Sequence, residues 1–309
     1  MHHIFIDGKE GTTGLEIFNR FAKRTDVEII SIPDEMRKDT EKKREIINNS
    51  DYVFLCLPDD AARESVSLIE NPKVKVIDAS TAHRTNPEWA YGFPELSAKH
   101  REKIATSHRV AVGGCYASGF LSLCYPLVSH EVIAKDHPIT CYGISGFSGG
   151  GKSMIADYTQ TPEKYTSPRF YGLTQNHKHL PEMQVIAGLA HPPLFNPIVD
   201  DFYNGMVVSV PLHVRSLNKK MGAKDLHEIF AEHYAGQKLL KVMPFSEQPP
   251  TFMDTNALAN TSEMEIFIYG SDQQILLCSR FDNLGKGASG SAVQCMNIMM
   301  NIDETTGLS

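Results

Sequence analysis

Of the six cysteines in this 309-residue chain, at 56, 115, 124, 141, 278 and 295, Cys115 stands where a thiol could act as a nucleophile. The apolar run Arg109-Val-Ala-Val112 ends in Gly113-Gly114, and an apolar-periodic stretch follows through Leu121 and Leu123. The glycines allow a tight strand-to-helix turn, which predicts Cys115 in the first turn of a helix. Unpaired amides and the helix dipole favour an anion there, and the thiolate is the nucleophilic form of cysteine. The plainer alternative is a small buried hydrophobe, as most intracellular cysteines are. Two other stretches could hold phosphate. Gly8-Lys-Glu-Gly11-Thr12-Thr13-Gly14 lets a dinucleotide pyrophosphate approach the backbone at a helix start. Gly146-Phe-Ser148-Gly149-Gly-Gly151-Lys152-Ser153 satisfies the pattern G-x-x-x-x-G-K-[ST] of nucleoside-triphosphate-binding loops.

The elements around these stretches separate the readings. Residues 3–7 read as a buried strand, and the glycine loop leads into a helix with Leu15, Phe18, Phe21 and Ala22 on one face. A second strand, 27–32, ends in Ser31-Ile32-Pro33 without a carboxylate for a ribose 2′-hydroxyl. Arg37 and Lys38 lie just beyond, so Ser31 and Arg37 favour NADP(H) over NAD, the plainer alternative being a solvated helix start beside Asp34-Glu35. Helices at 39–49 and from Pro58 to Ile69 alternate with strands at 52–57 and 74–78, which predicts a parallel, doubly wound sheet. Ligands bind such sheets at the carboxyl ends of the strands, where Leu57-Pro58 and Asp78-Ala-Ser80-Thr-Ala-His-Arg84 fall. Unaided, Arg84 reads as an ordinary surface charge.

After Cys115 the alternation stops. A strand at 139–144 precedes the second glycine loop, and 156–204 reads as irregular, rich in Pro, Tyr and His. Residues 206–214 form a strand whose mid-run Pro211 predicts an edge. A helix at 224–235 and a hairpin over 265–280 complete an α+β domain. The closing helix, with Ala292, Val293, Met296 and Met299 on its apolar face, is expected to return to the first domain. The predicted fold class is thus α/β: a Rossmann-type doubly wound sheet over 1–114 and 285–309, and a substrate and oligomerisation domain with a mixed or antiparallel sheet over 115–284. A phosphotransferase loop at 146–153 fits this context poorly. Its helix fades at Thr161-Pro162, and no hydrophobic strand ending in Asp is evident later in a βαβ repeat to hold magnesium. Its glycines and Lys152 could still meet a substrate phosphate.

Composition narrows the classes further. Net charge is −7, so no basic field draws the chain to nucleic acid or anionic membrane. The cysteines show neither a disulfide framework nor a zinc pattern, no metal is expected, and a reducing cytoplasm fits. No apolar run reaches the ~20 residues of a membrane span, and the N-terminus does not read as a signal peptide.

Motifs along the whole chain resemble one family. Beside Gly8–Gly14 and Asp78-Ala-Ser80…Arg84 stand Tyr91-Gly-Phe-Pro-Glu95, Gly114-Cys115-Tyr-Ala-Ser118, Ser145-Gly-Phe-Ser-Gly-Gly-Gly-Lys152, His177-Lys-His179-Leu-Pro-Glu182 and Asn283-Leu-Gly-Lys286-Gly287-Ala-Ser-Gly-Ser-Ala-Val-Gln294. Together they resemble the shorter N-acetyl-gamma-glutamyl-phosphate reductases, within the aspartate-semialdehyde dehydrogenase-like proteins. Longer members carry Pro at the Gly114 position, Thr at Ser118 and Arg at Lys152, and Lys for Arg loses a bidentate grip on phosphate or carboxylate. The resemblance implies NADPH-dependent reduction of N-acetyl-glutamyl 5-phosphate to the semialdehyde, a step of arginine biosynthesis, through a thioester on Cys115. It places proton handling on His177 and substrate contacts or supports at His179 and Glu182. It makes Arg84 and Lys152, with Ser148 and Gly149 of the second glycine loop, candidate substrate ligands. Asn283 would lie near the nicotinamide, Lys286 and Gly287 would help close the cofactor pocket, and the chain would be a homo-oligomer through its second sheet. A reductase of an aminoadipyl or aspartyl phosphate would share these catalytic pieces, and an NADP-sensing protein without turnover is a further alternative.

Overall fold

The computed structural model describes residues 1–36 and 39–308, the side chain of Asp34 apart; Arg37 and Lys38 lie outside the described residues. In chain order the first elements are β1 (His2–Asp7), α1 (Thr12–Phe21), β2 (Val27–Ile30), α2 (Thr40–Asn48), β3 (Tyr52–Leu55) and α3 (Asp59–Ser67). Then come β4 (Lys75–Asp78), β5 (Ala90–Tyr91), α4 (Ala98–Thr106), β6 (Arg109–Ala111), α5 (Cys115–Ser129), β7 (Thr140–Gly146) and α6 (Gly151–Gln160). They are followed by β8 (Arg169–Phe170), α7 (Leu180–Ala187), β9 (Leu194–Asp200), β10 (Met206–His213) and α8 (Ala223–His233). The last are β11 (Leu240–Val242), β12 (Met264–Gly270), β13 (Gln274–Phe281) and α9 (Gly290–Met299). The chain divides into one unit of Met1–Gly113 with Ala288–Ser309 and a second of Gly114–Gly287.

The first unit is a six-stranded parallel sheet in the order β2-β1-β3-β4-β6-β5. Parallel strands are covered on both faces and read as continuous apolar runs. All four residues of β3 are buried accordingly, and Phe54 meets Phe21 of α1 edge-on at 5.3 Å. The buried stripe of α1 is Gly14, Ile17 and Phe21, with Leu15 half exposed at 50%; this differs from the face expected from sequence. All ten residues of α9 are buried, and the helix belongs to this unit.

The second unit carries a seven-stranded mixed sheet, β11-β12-β13-β10-β7-β9-β8. Helix α5 lies on one face of it, where Ser122 Oγ donates to Ser279 Oγ of β13 at 3.0 Å. Two expectations need correction here. β10 is a central strand, between β13 and β7, not an edge. Its pairing with β7 covers only Met206–Ser209, so Pro211 sits beyond the ladder that would have needed its N–H. Nor is 156–204 irregular: β9 runs parallel to β7, with Gly146 opposite Asp200. A hydrophobic strand ending in Asp therefore does lie beside the second glycine loop. Among the described residues, no helix is long and apolar enough to cross a membrane.

Candidate active site

Cys115 is the first residue of α5, after the N-cap Gly114, which has extended backbone and no side chain to cap the helix. From Val110 to Cys124 every residue is buried except Cys115, which is half-buried. A buried helix thus presents a single accessible group at its amide end, where a developing sulfur anion is favoured. Four other thiols are shifted by burial. Desolvation pushes Cys124 and Cys141 well up and Cys56 and Cys278 up to about 12, which keeps them protonated and inert.

Three segments of the second unit converge on this turn. The first is α7. Glu182, buried in its first turn, accepts the Gly114 N–H on Oε2 at 3.1 Å. In effect α7 supplies the carboxylate of a capping box to α5. The second is the run into α7. His177 and His179 meet edge-to-face at 4.7 Å, and the His179 backbone N–H donates to His177 Nδ1 at 3.1 Å. Tyr116, next to Cys115, gathers His177 at 6.1 Å, Phe195 at 5.1 Å and Tyr171 at 6.3 Å between ring centres. Tyr116 lies against Gly143 of β7, where any side chain would collide with its ring. Its phenol donates to the Ile198 carbonyl at 3.2 Å; burial, then Tyr171 and Cys115, hold its pKa well above the ordinary value.

The third segment is the turn after β13. Asp282, fully buried, accepts the amides of Leu284 and Gly285 on Oδ1, each at 2.7 Å, and that of Asn260 on Oδ2. The turn so held brings Gly287 against Cys115: a Cβ at 287 would stand 2.8 Å from the Cys115 Cβ. Lys286 beside it is buried, with 1% of its surface exposed.

The second glycine loop is organised differently from a phosphate cradle. The amides of Gly146, Phe147 and Ser148 already donate to the carbonyls of Gly205, Phe202 and Tyr203. Ser148 is fully buried; its hydroxyl donates to Asn204 Oδ1 at 2.7 Å and accepts from Asn283 Nδ2 at 2.8 Å. Asn283 Oδ1 in turn accepts the Gly205 N–H at 2.9 Å. Ser148 and Asn283 are therefore bridges within this unit, while Gly149, Gly150, Lys152 and Ser153 of the loop are exposed. Those backbone amides are unavailable to a phosphate, although the strand ending in Asp that a triphosphate loop needs is present.

In the first unit, Gly8 has φ +90°, and a side chain there would strike the Cys56 carbonyl. Gly14 is pressed as closely against the Gly8 carbonyl, and Gly11 caps α1 without a side chain. The amides of Thr12, Thr13 and Gly14 thus open a helix that has no side-chain cap, a fit for a dinucleotide pyrophosphate. A cleft of about 260 Å³ beside the loop is lined by Gly8, Lys9, Glu10, Ser31, Lys43 and Leu57, among others. Lys43, which sequence reasoning missed, extends from α2 to pair with Asp7 at 3.1 Å. Its only signal was a cation one helix beyond the second strand. Pro58 caps α3, and Ser80 donates to Asp78 from its backbone and hydroxyl, both at 2.8 Å. Asp78 also holds His83 Nδ1 at 2.6 Å, and His83 stacks on Trp89. Arg84, buried rather than at the surface, donates from Nε to the Val112 carbonyl and from a terminal nitrogen to that of Ala79. Among the described residues no cluster could hold a metal ion.

A parallel nucleotide-type sheet joined to a mixed-sheet unit with a helix-start cysteine defines the semialdehyde dehydrogenase class. The family model for the semialdehyde dehydrogenase NAD binding domain matches residues 24–105, and that for the dimerisation domain matches 115–283. Solved structures agree on the fold. Aspartate semialdehyde dehydrogenase from Francisella tularensis superposes with a TM-score of 0.73 at 14% identity, over 97% of this chain and all of that one. Aspartate semialdehyde dehydrogenase II from Vibrio cholerae gives 0.72 at 12% identity, over 97% and 98%.

Sequence relatives are more specific. N-acetyl-gamma-glutamyl-phosphate reductase 2 of Nostoc sp. is 44% identical over 317 aligned positions, covering 99% of this chain and 98% of its own. The reductases of Chelativorans sp. and Burkholderia ambifaria are 46% and 43% identical, each over at least 96% of both chains. The chain belongs to the N-acetyl-gamma-glutamyl-phosphate reductase family.

Proposed function

We propose that the chain reduces N-acetyl-L-glutamyl 5-phosphate to N-acetyl-L-glutamate 5-semialdehyde and phosphate, with NADPH, as a step of arginine biosynthesis. The observation that carries this reading is Cys115: one accessible thiol at the amide end of a buried helix, with Glu182 bound one residue before it and His177 beside Tyr116. The sulfur attacks the acyl carbon and phosphate leaves, giving a thioester whose weak resonance makes its carbonyl a ready hydride acceptor. NADPH supplies the hydride. The sulfur then leaves the thiohemiacetal and the aldehyde is released. His177 serves the polar groups formed along this path, and Glu182 and His179 support it. Gly149, Lys152 and Arg84 are the residues we assign to the substrate's anionic groups, and Lys286 with Gly287 closes the pocket around Cys115.

We assign the cofactor to the loop Gly8, Gly11, Thr12, Thr13 and Gly14, with Leu57, Pro58 and Ser80 at the strand ends. NADP is favoured over NAD because Ser31, Lys9 and Lys43 line one cleft beside that loop, together with Asp7 and Glu10. Arg37 lies outside the described residues. The scattered cysteines suit a reducing cytoplasm. The test runs the reaction backwards, with semialdehyde, phosphate and NADP, following absorbance. Cys115→Ser should lower kcat by at least about 10³-fold; unchanged turnover in that variant would reject the mechanism.

A further inference from the structure

The edge of the second sheet is finished by a side chain. β8, the edge strand, has only two residues, and they pair with Ile198 and Val199 of β9. Just past them the Tyr171 N–H donates to the Pro197 carbonyl at 3.2 Å, and the main chain then turns at Gly172, φ +61°. It returns at Gln175, whose N–H closes the turn on the Gly172 carbonyl at 3.0 Å. The Gln175 carboxamide then acts on β9 as a further strand residue would. Its Nε2 donates to the Phe195 carbonyl at 2.9 Å, and its Oε1 accepts the Phe195 N–H at 3.1 Å. The backbone of Gln175 is left-handed, φ 54°, a conformation that glycine adopts more easily than a residue with a side chain. Two neutral hydrogen bonds at an exposed residue add little net stability, so a strained backbone kept for their sake points to a positional use.

What this clamp holds stands beside Cys115. The Phe195 ring lies 5.1 Å from Tyr116 and 5.1 Å from His177, and Tyr116 adjoins Cys115 in the chain. His177 follows Gln175 by two residues. Tying Gln175 to Phe195 therefore fixes the His177 ring by two routes, along the chain and through the Phe195 ring. We propose that Gln175 is a positioning residue for the reduction: its carboxamide, clamped on the Phe195 main chain, sets where Phe195 and His177 stand against Tyr116. The role rests on the acyl-phosphate reductase reading, but the clamp does not.

Hydrogen exchange in the full chain tests the clamp. The Phe195 amide should exchange about 10-fold faster or more in Gln175→Met, which keeps the side chain's length and removes its polar end. An unchanged rate would show that Gln175 does not hold Phe195 and would overturn the proposal whatever the activity. Kinetics test the role. Gln175→Met and Gln175→Gly should each lose about 10-fold or more in kcat. KM for NADPH should not change, because the loop assigned to the cofactor lies in the first unit. In Gln175→Gly, relief of the left-handed backbone offsets the two lost bonds, so Tm should stay within about 2 °C of the wild type. A merely structural contact gives the reverse pairing, a lowered Tm with wild-type kcat in the folded variants, and that result would overturn the positioning role. A wild-type protein without turnover would remove the reductase reading on which the role rests, and the exchange rates would still report the clamp.

Discussion

A methyl carbon at position 287 would stand 2.8 Å from the Cys115 Cβ and 3.1 Å from the Asp282 carbonyl oxygen. Neither neighbour can yield easily, since Asp282 is clamped by three backbone amides. Gly287→Ala should therefore displace the thiol and cost about 10²-fold in kcat/KM, the scale of a 1 Å misplacement. Its circular dichroism should stay native, and a fully active variant would mean that the turn does not fix the sulfur. Lys43 supports a second prediction. If it meets the 2′-phosphate, Lys43→Met should raise KM for NADP about 10-fold or more, as expected for losing a charged hydrogen bond, and leave NAD kinetics alone. A Lys43 that only ties α2 to Asp7 would instead affect both cofactors equally. At this scale the sequence revealed residues whose chemistry is local. Cys115 was legible because two glycines and a helical period flank it. Lys43 was not, because nothing in its neighbours along α2 indicates that its ammonium reaches back to the end of β1.

Arg24 shows the same principle among elements. Its guanidinium, with 4% of the side chain exposed, forks onto Asp26 at 2.9 and 2.5 Å and reaches Asn297 Oδ1 of α9 at 2.7 Å. It thus joins the end of α1, the start of β2 and the closing helix of the first unit. Arg24→Met should lower Tm by about 3 °C or more, measured by thermal unfolding. The hydrogen bond from Arg24 is the main cause that holds the Asp26 carboxyl below its ordinary pKa, with burial opposing it. A carboxyl lowered on folding stabilises above its unfolded value, near 3.9, and loses that contribution as pH falls through the folded value. The Tm gap between wild type and Asp26→Asn should therefore be present at pH 7 and close below about pH 4; because Asp26 is 42% exposed, the gap will be small. A gap that widens on acidification would reverse the sign of the argument. Elements with clean periods, such as β1 and the hairpin β12–β13, could be read from sequence, and α1 could be placed though not its buried face. β9 could not, because Asn196-Pro197 interrupts its apolar pattern, and its strand character comes from the parallel ladder with β7. Pro211 misled for a related reason: a proline forbids one hydrogen bond, and β10 simply lacks a neighbour on that side at that residue.

At the scale of the whole molecule, the second sheet has one face covered and one face bare. Strand alternation sends Gly143, Val208, Val210, Leu277 and Ser279 toward α5, and turns Tyr142, Pro211, Leu276 and Tyr269 the other way. Tyr142 is 40% exposed and Leu276 39%, while Leu194 at the start of β9 reaches 61%. Exposed Tyr142, Leu276 and Leu194 on one sheet face suit an interaction surface, and the family model that matches residues 115–283 is described as a dimerisation domain. A twofold interface would place each face on its own copy, so residues near the centre would meet their symmetry mates. Like charges introduced there confront one another, and each must be desolvated unpaired. Tyr142→Glu with Leu276→Glu should thus shift the sedimenting species from dimer or larger to monomer, while Cys115 keeps its rate of alkylation because α5 lies on the opposite face. A double variant that sediments like the wild type would assign the assembly to some other surface and leave this face without a partner.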